Sequence, residues 1–129
     1  MTVYVDAAIH GFGRMIMCHM FSPDVEELHR MADRIGVARK WFQDPRTMSK
    51  VSWPHYDIAK SKRALAVSYG AVECDKYQTV AMGAIIKNIY WATDVFEPMR
   101  WFHGFLAAEY ERIGKWLGEQ GFPQQEFWL

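Results

Sequence analysis

The stretch 52-SWPHYDIAKSKRALAVSYGAV-72 brings together an imidazole (His55), a carboxylate (Asp57), a hydroxyl (Ser61) and the cations Lys60, Lys62 and Arg63. A histidine and an aspartate two residues apart are the ingredients of an acid–base pair, which needs only hydrogen-bond reach. Hydroxyl and cations at the start of a helix are the ingredients of an anion site, because free N–H groups and the positive dipole end converge there. Asp57 precedes the helical pattern and reads first as an N-cap. On a wheel begun at Ile58, the side of Ser61, Lys62, Leu65 and Tyr69 faces inward and Arg63 faces outward. An ammonium at the edge of a buried face is costly without a partner, so Lys62 is assigned a functional or ion-paired role.

The other histidines divide between core and chemistry. His29 follows Leu28 one turn after Val25, and a lone histidine on an apolar helix face is more often a hydrogen-bonded core residue than a ligand. His19 alternates with Met17 and Phe21 and carries the same ambiguity. No two of these histidines have the H-x-x-x-H spacing of a helical metal site, so no metal ligands are assigned. A centre assembled from separate elements, such as Asp6, His10, His55 and Asp57, is permitted by chemistry but weakly signalled. Cys18 beside His19 makes no nucleophile pair, because strand neighbours point to opposite faces. Ser61-Lys62 lacks the S-x-x-K spacing that puts both groups on one helix face.

These groups must be carried by elements, and the first half of the chain supplies an alternating set. TVYVD reads as a short buried strand with Asp6 at its carboxyl end. Gly11 and Gly13 predict a turn, and 14-RMIMCHMF-21 a second strand with His19 on the face of Met15, Met17 and Phe21. Ser22-Pro23-Asp24 opens a helix over about 23–35, in which Ser22 can cap and Gly36 provides the stop. Residues 37–42 are a candidate strand, and the two-proline segment 43–54 a loop long enough to suspect of function. A helix over 58–69 ends at Gly70, and 71-AVEC-74 returns as a strand. Beyond residue 76 the pattern becomes helical, over about 77–92 and 96–118.

The expected fold is therefore α/β, with α+β as the alternative: a small sheet of three to four short strands, one domain over 1–129, and a helical extension from residue 76. At 129 residues, such a domain buries a real core without disulfides or a structural metal. Cys18 and Cys74 stand alone, and reduced thiols in a cytoplasmic protein are the expectation. No stretch has the length of a membrane span, because Lys87 interrupts the most apolar late segment.

Fifteen basic and fifteen acidic residues give no net charge, so strong non-specific nucleic-acid binding is not expected. The charges are unevenly placed. Residues 34–63 hold eight cations against two acids, and residues 94–129 hold six acids against three cations. A concentrated positive segment attracts phosphates or carboxylates, although a solvated basic face gives the same pattern. Trp41, Phe42, Trp53 and Tyr56 interleave with these cations, the combination that stacks a base and grips its phosphate. A hydrophobic cluster under the long loop would need the same residues. The aromatic 97–129 segment packs on the sheet or forms a homo-oligomer contact.

Taken in order, MTVYVD, Gly13-Arg14, Cys18 to Met20 and Glu27 to His29 make a series of short motifs. Arg39 with Trp41 to Gln43, His55 to Asp57, Ser61 to Arg63 and Gly70-Ala71 continue it. Over about residues 1–75 this series resembles a domain-of-unknown-function family of small bacterial and phage proteins. The resemblance implies a site rather than a core, since the family signature falls on Asp6, Arg14, His19, His29, Arg39, His55, Asp57, Ser61, Lys62 and Arg63. It brings no activity or cofactor. Members often carry a second acid after the first strand, where this chain has Ala7, so an acid pair for a metal would lack one ligand.

The leading expectation is a binding site for a small, phosphate-bearing, nucleotide-like ligand. It would lie between Asp6–Arg14 and the start of the 58–69 helix. Arg14, Arg39, Lys62 and Arg63 would neutralise the anion with Ser61 nearby, and Trp41 or Tyr56 would stack on a ring. The enzyme alternative is a phosphoester hydrolase or nuclease-like activity, with His55, His29 or His19 moving protons and Asp57 or Asp6 orienting them. The third class is an interaction protein assembling through its aromatic C-terminal helices.

Overall fold

The computed structural model describes residues 2–7, 10–12 and 15–95, together with Ala108 and Arg112. In chain order the elements are β1 (Tyr4–Val5), β2 (His10–Phe12), β3 (Met15–Phe21), α1 (Val25–Arg34), a 3-10 turn (Arg39–Trp41), β4 (Phe42–Gln43), β5 (His55–Ala59), α2 (Lys60–Ser68), β6 (Val72–Glu73) and α3 (Lys76–Val95). The sheet runs β4-β5-β3-β1-β6, with β2 also paired to β3. Every pairing is antiparallel except β1 with β6. The fold is α+β around a mixed sheet.

Period-2 alternation sorts the strand side chains onto two covered faces. Val3, Val5, Cys18, Met20, Tyr56 and Ile58 pack with Leu28, Met31, Ala32 and Ile35 of the first helical segment and with Ala66 of α2. On the other face Tyr4 and Phe21 pack with Met82 and Ile86 of α3, and Trp53 joins them. The close approach is at Gly83, where a Cβ would stand 3.3 Å from the Trp53 ring. The sheet is thus covered on both sides where β1 pairs with the end of β3.

Several local expectations shift by one element. Asp24, rather than Ser22, caps α1, accepting from the N–H groups of Glu26 and Glu27. Ser22 is buried and donates to the carbonyl of Thr2 instead. Segment 37–42 forms a 3-10 turn before the two-residue β4, not a strand, and His10 lies in β2 rather than in a turn.

The largest correction falls on the opening stretch. Asp57 is not a helix cap: it sits in the middle of β5, and α2 begins after Ala59 with no side-chain cap. Tyr56 and Ile58 are buried, and this two-residue alternation makes 55–59 a strand. Because the helix starts later, its inward face is rotated. Ala66 is buried and Val67 packs on the core, whereas Ser61 is exposed and Leu65 and Tyr69 are 36% and 43% accessible. Gly36 and Gly70 stop their helices with φ values of +77° and +102°, a backbone region that favours glycine. The expected helix over 96–118, and assembly through 97–129, lie outside the described residues.

Candidate functional site

The site is assembled by the pairing of β3 with β5. Its register sets His19 directly opposite Asp57, and His55 stands two residues before Asp57 on the same face. One histidine from each strand thus approaches Asp57.

Asp6 holds the first imidazole. Its backbone N–H donates to the carbonyl of His19, and its carboxylate accepts from the His19 N–H at 2.7 Å while lying 2.7 Å from His19 Nδ1. A carboxylate at that distance fixes the proton on Nδ1 and leaves Nε2 to face Asp57. Nε2 of His19 is 3.7 Å from Asp57 Oδ1. His55 is built the same way with a different anchor. Its Nδ1 is 2.9 Å from the carbonyl of Trp53 and its Nε2 is 3.5 Å from Asp57 Oδ1.

Rings of Trp53 and His55 stack with centroids 4.5 Å apart, and the two imidazoles meet edge to face at 5.1 Å. Asp6 and His55 are buried, whereas the Asp57 side chain is 42% accessible. His19, His55 and Asp57 each offer a ligand atom within 4.8 Å of the others, the one such group of three among the described residues.

Burial pushes the His19 pKa down, but the Asp6 hydrogen bond and the charges of Asp6 and Asp57 outweigh it and hold the pKa above its ordinary value. His29 goes the other way: burial, then the nearby Arg39 cation, lower it. The folded state therefore favours charged His19, a contribution complete below the ordinary histidine pKa and lost as pH rises through the raised value. For His29 the contribution is complete above the ordinary pKa and lost as pH falls through the lowered one. In an NMR pH titration the imidazole of His19 is expected to titrate above about 6.5 and that of His29 below it. Coincident midpoints would contradict the Asp6 contact.

An open cleft of about 780 Å³ lies over Asp57 and His19. Met15 and Met17 of β3, Ile58 and Ala59 of β5, Gln43, Trp41 and Lys62 also line it, with Gly36 to Ala38. Lys62 Nζ stands 3.3 Å from where a Gly36 Cβ would be, so glycine there leaves room for the ammonium. Lys62 has no hydrogen bond or ion pair among the described residues. Trp41 is 59% exposed on the rim.

Other expected ligand-binding residues are occupied elsewhere. Arg63 turns inward rather than outward, donating to the Asp6 carbonyl and to Glu73. Arg39 forms a two-point pair with Asp33. Tyr56 is fully buried, unable to stack on a ligand, and its hydroxyl shares a 2.7 Å hydrogen bond with His29 Nδ1. His29 is thereby a hydrogen-bonded packing residue and does not line the cleft. Ser61 is exposed and does not line the cleft. Arg14 lies outside the described residues.

The 43–54 loop is tied down rather than left open. Arg46 lies over the Tyr90 ring and bonds the Tyr90 carbonyl, and the Tyr90 hydroxyl donates to Asp44. Burial pushes the Cys18 thiol to about 12 and that of Cys74 to about 11, which removes both as nucleophiles. Sequence reading missed Trp53 as the support of His55. Its signal was the W-P-H order, in which the carbonyl of Trp53 is two residues from the ring it holds.

Residues 3–85 match the family described as "Protein of unknown function (DUF4031)". The match contains Asp6, His19, Trp53, His55, Asp57 and Lys62 and reaches into α3, further along the chain than the resemblance implied. No curated protein and no solved structure matches the chain.

Proposed function

This chain belongs to the DUF4031 family, and from that premise we propose that its cleft binds a small, phosphate-bearing, nucleotide-like substrate and cleaves a phosphoester bond in it. The observation that carries this reading is the convergence of two imidazole Nε2 atoms on Asp57, at 3.7 and 3.5 Å, where His19 and Asp57 line the cleft together with Lys62 and His55 is buried beside them. A catalytic group must present a lone pair or proton at a defined point, and the two locked Nδ1 atoms give both rings that definition.

Lys62 supplies a compact cation for a phosphate, and the uncapped start of α2 adds N–H donors beside it. The exposed Trp41 ring offers the one stacking surface left after Tyr56 is withdrawn into the core. Two free thiols, Cys18 buried and Cys74 half-buried, suit a reducing compartment, so the cytoplasm is the proposed location. Among the described residues no helix is long and apolar enough to cross a membrane.

The test is turnover of bis(p-nitrophenyl) phosphate, alongside calorimetry against mono-, di- and cyclic nucleotides. Turnover is expected, and Lys62→Ala is expected to raise KM by about tenfold with a smaller change in kcat, the signature of a lost binding contact. Binding without turnover would make the cleft a sequestering site. No binding and no turnover would remove the phosphate reading altogether.

A further inference from the structure

We propose that His19, His55 and Asp57 form a binding site for a divalent first-row transition-metal ion, with Asp6 and the Trp53 carbonyl as its outer supports. The inference stands on ligand geometry and does not rest on the phosphoester reading.

Ligand atoms held about 2.1 Å from one ion stand about 3.0–3.4 Å apart. Nε2 of His55 and of His19 lie 3.5 and 3.7 Å from Asp57 Oδ1, and the three ligand atoms fall within 4.8 Å of one another, so binding an ion draws the three side chains inward. Both rings present the correct nitrogen. Metal-bound imidazoles almost always give their other N–H to a carboxylate or a backbone carbonyl, and here Asp6 takes one and Trp53 the other, at 2.7 and 2.9 Å.

Two imidazoles and one carboxylate suit zinc, cobalt, iron or manganese better than magnesium or calcium, which prefer oxygen donors. Asp57 is 42% accessible and faces the cleft, so positions opposite the three ligands stay open to water or a substrate oxygen. That is the arrangement of a working metal rather than a structural one, which is closed by four protein ligands. The ion would polarise a phosphoryl oxygen and lower the pKa of a bound water. The Ala7 position, where family resemblance leaves an acid missing, is not needed for this set.

The test uses full-length protein stripped with chelator and dialysed, then titrated with Co²⁺ by visible absorption and with Zn²⁺ by calorimetry. One equivalent is expected to bind at micromolar concentration or tighter. His55→Ala and Asp57→Asn are each expected to weaken it at least tenfold. Asp6→Asn, which removes no ligand atom but changes the partner of His19 Nδ1, is expected to weaken it by about 10–100-fold. Circular dichroism of each variant separates loss of the site from loss of the fold. No uptake, or uptake unchanged in a folded His55→Ala or Asp57→Asn protein, would overturn the assignment. Metal uptake without phosphodiester turnover keeps the metal site and removes the hydrolase reading. Turnover in stripped protein that takes up no metal keeps the hydrolase reading and removes the site.

Discussion

His55→Ala is expected to lower phosphodiester turnover by about 100-fold or more, while the protein stays folded. His55 has two polar attachments, its Nδ1 to the Trp53 carbonyl and its Nε2 toward Asp57. Neither is part of the sheet ladder, so backbone pairing of β5 with β3 and β4 survives the change. What is lost is one of the two nitrogens aimed at the reaction point and the ring that stacks on Trp53. Alanine also leaves a small cavity beside Trp53, costing about 1–2 kcal/mol of stability.

Asp57→Asn separates these effects, because it is nearly isosteric and partly exposed. It is expected to give a similar loss of turnover with little change in unfolding free energy. Full activity in both folded variants would show that the cluster is a packing feature and not a site.

The second large effect is expected from Asp6→Asn. Both carboxylate oxygens of Asp6 are in use, one on the His19 backbone N–H and the other at His19 Nδ1. An asparagine can satisfy the backbone donor with its carbonyl, but its NH₂ then faces Nδ1. Two donors cannot face each other, so the ring moves its proton to Nε2, the nitrogen directed at Asp57.

His19 would then carry the wrong tautomer at the working atom, with turnover expected to fall about 10–100-fold. Its pKa is expected to fall as well, since burial remains while the Asp6 hydrogen bond and charge are gone and only the Asp57 charge still raises it. Asp6→Ala goes further, leaving a buried N–H without its acceptor at a cost of about 1–3 kcal/mol. The contrast between the variants separates orientation of the ring from stability of the β1–β3 junction.

Much of the site was legible before any geometry. Asp6 at a strand end, His19 on the strand face of Met15, Met17 and Phe21, and His55 as a residue that capping does not explain all follow from pattern. So does Lys62 at the edge of a buried helical face. The position of Asp57 was not, because D-I-A-K-S carries a strong cap signal while Tyr56 and Ile58 give only two turns of a strand alternation. A five-residue strand wins through long-range pairing with β3, which no local pattern contains.

The same misplacement moved the helical wheel. With α2 starting at Lys60, Arg63 swings under the sheet edge to the Asp6 carbonyl, and Ser61 swings out. Counting cations could not show this, since a guanidinium engaged by a carbonyl and a carboxylate has the same sequence as a free one. Tyr56 and His29 illustrate the reverse. Each had a polar group suited to a ligand, and each spends it on the other inside the core.

The most direct measurement is the imidazole ¹⁵N spectrum of His19 and His55 during titration with adenosine monophosphate. Nε2 resonances of both rings are expected to shift together as the ligand fills the cleft, while both Nδ1 atoms stay protonated on Asp6 and Trp53. Unmoved Nε2 resonances at saturating ligand, or shifts confined to His29, would contradict the account.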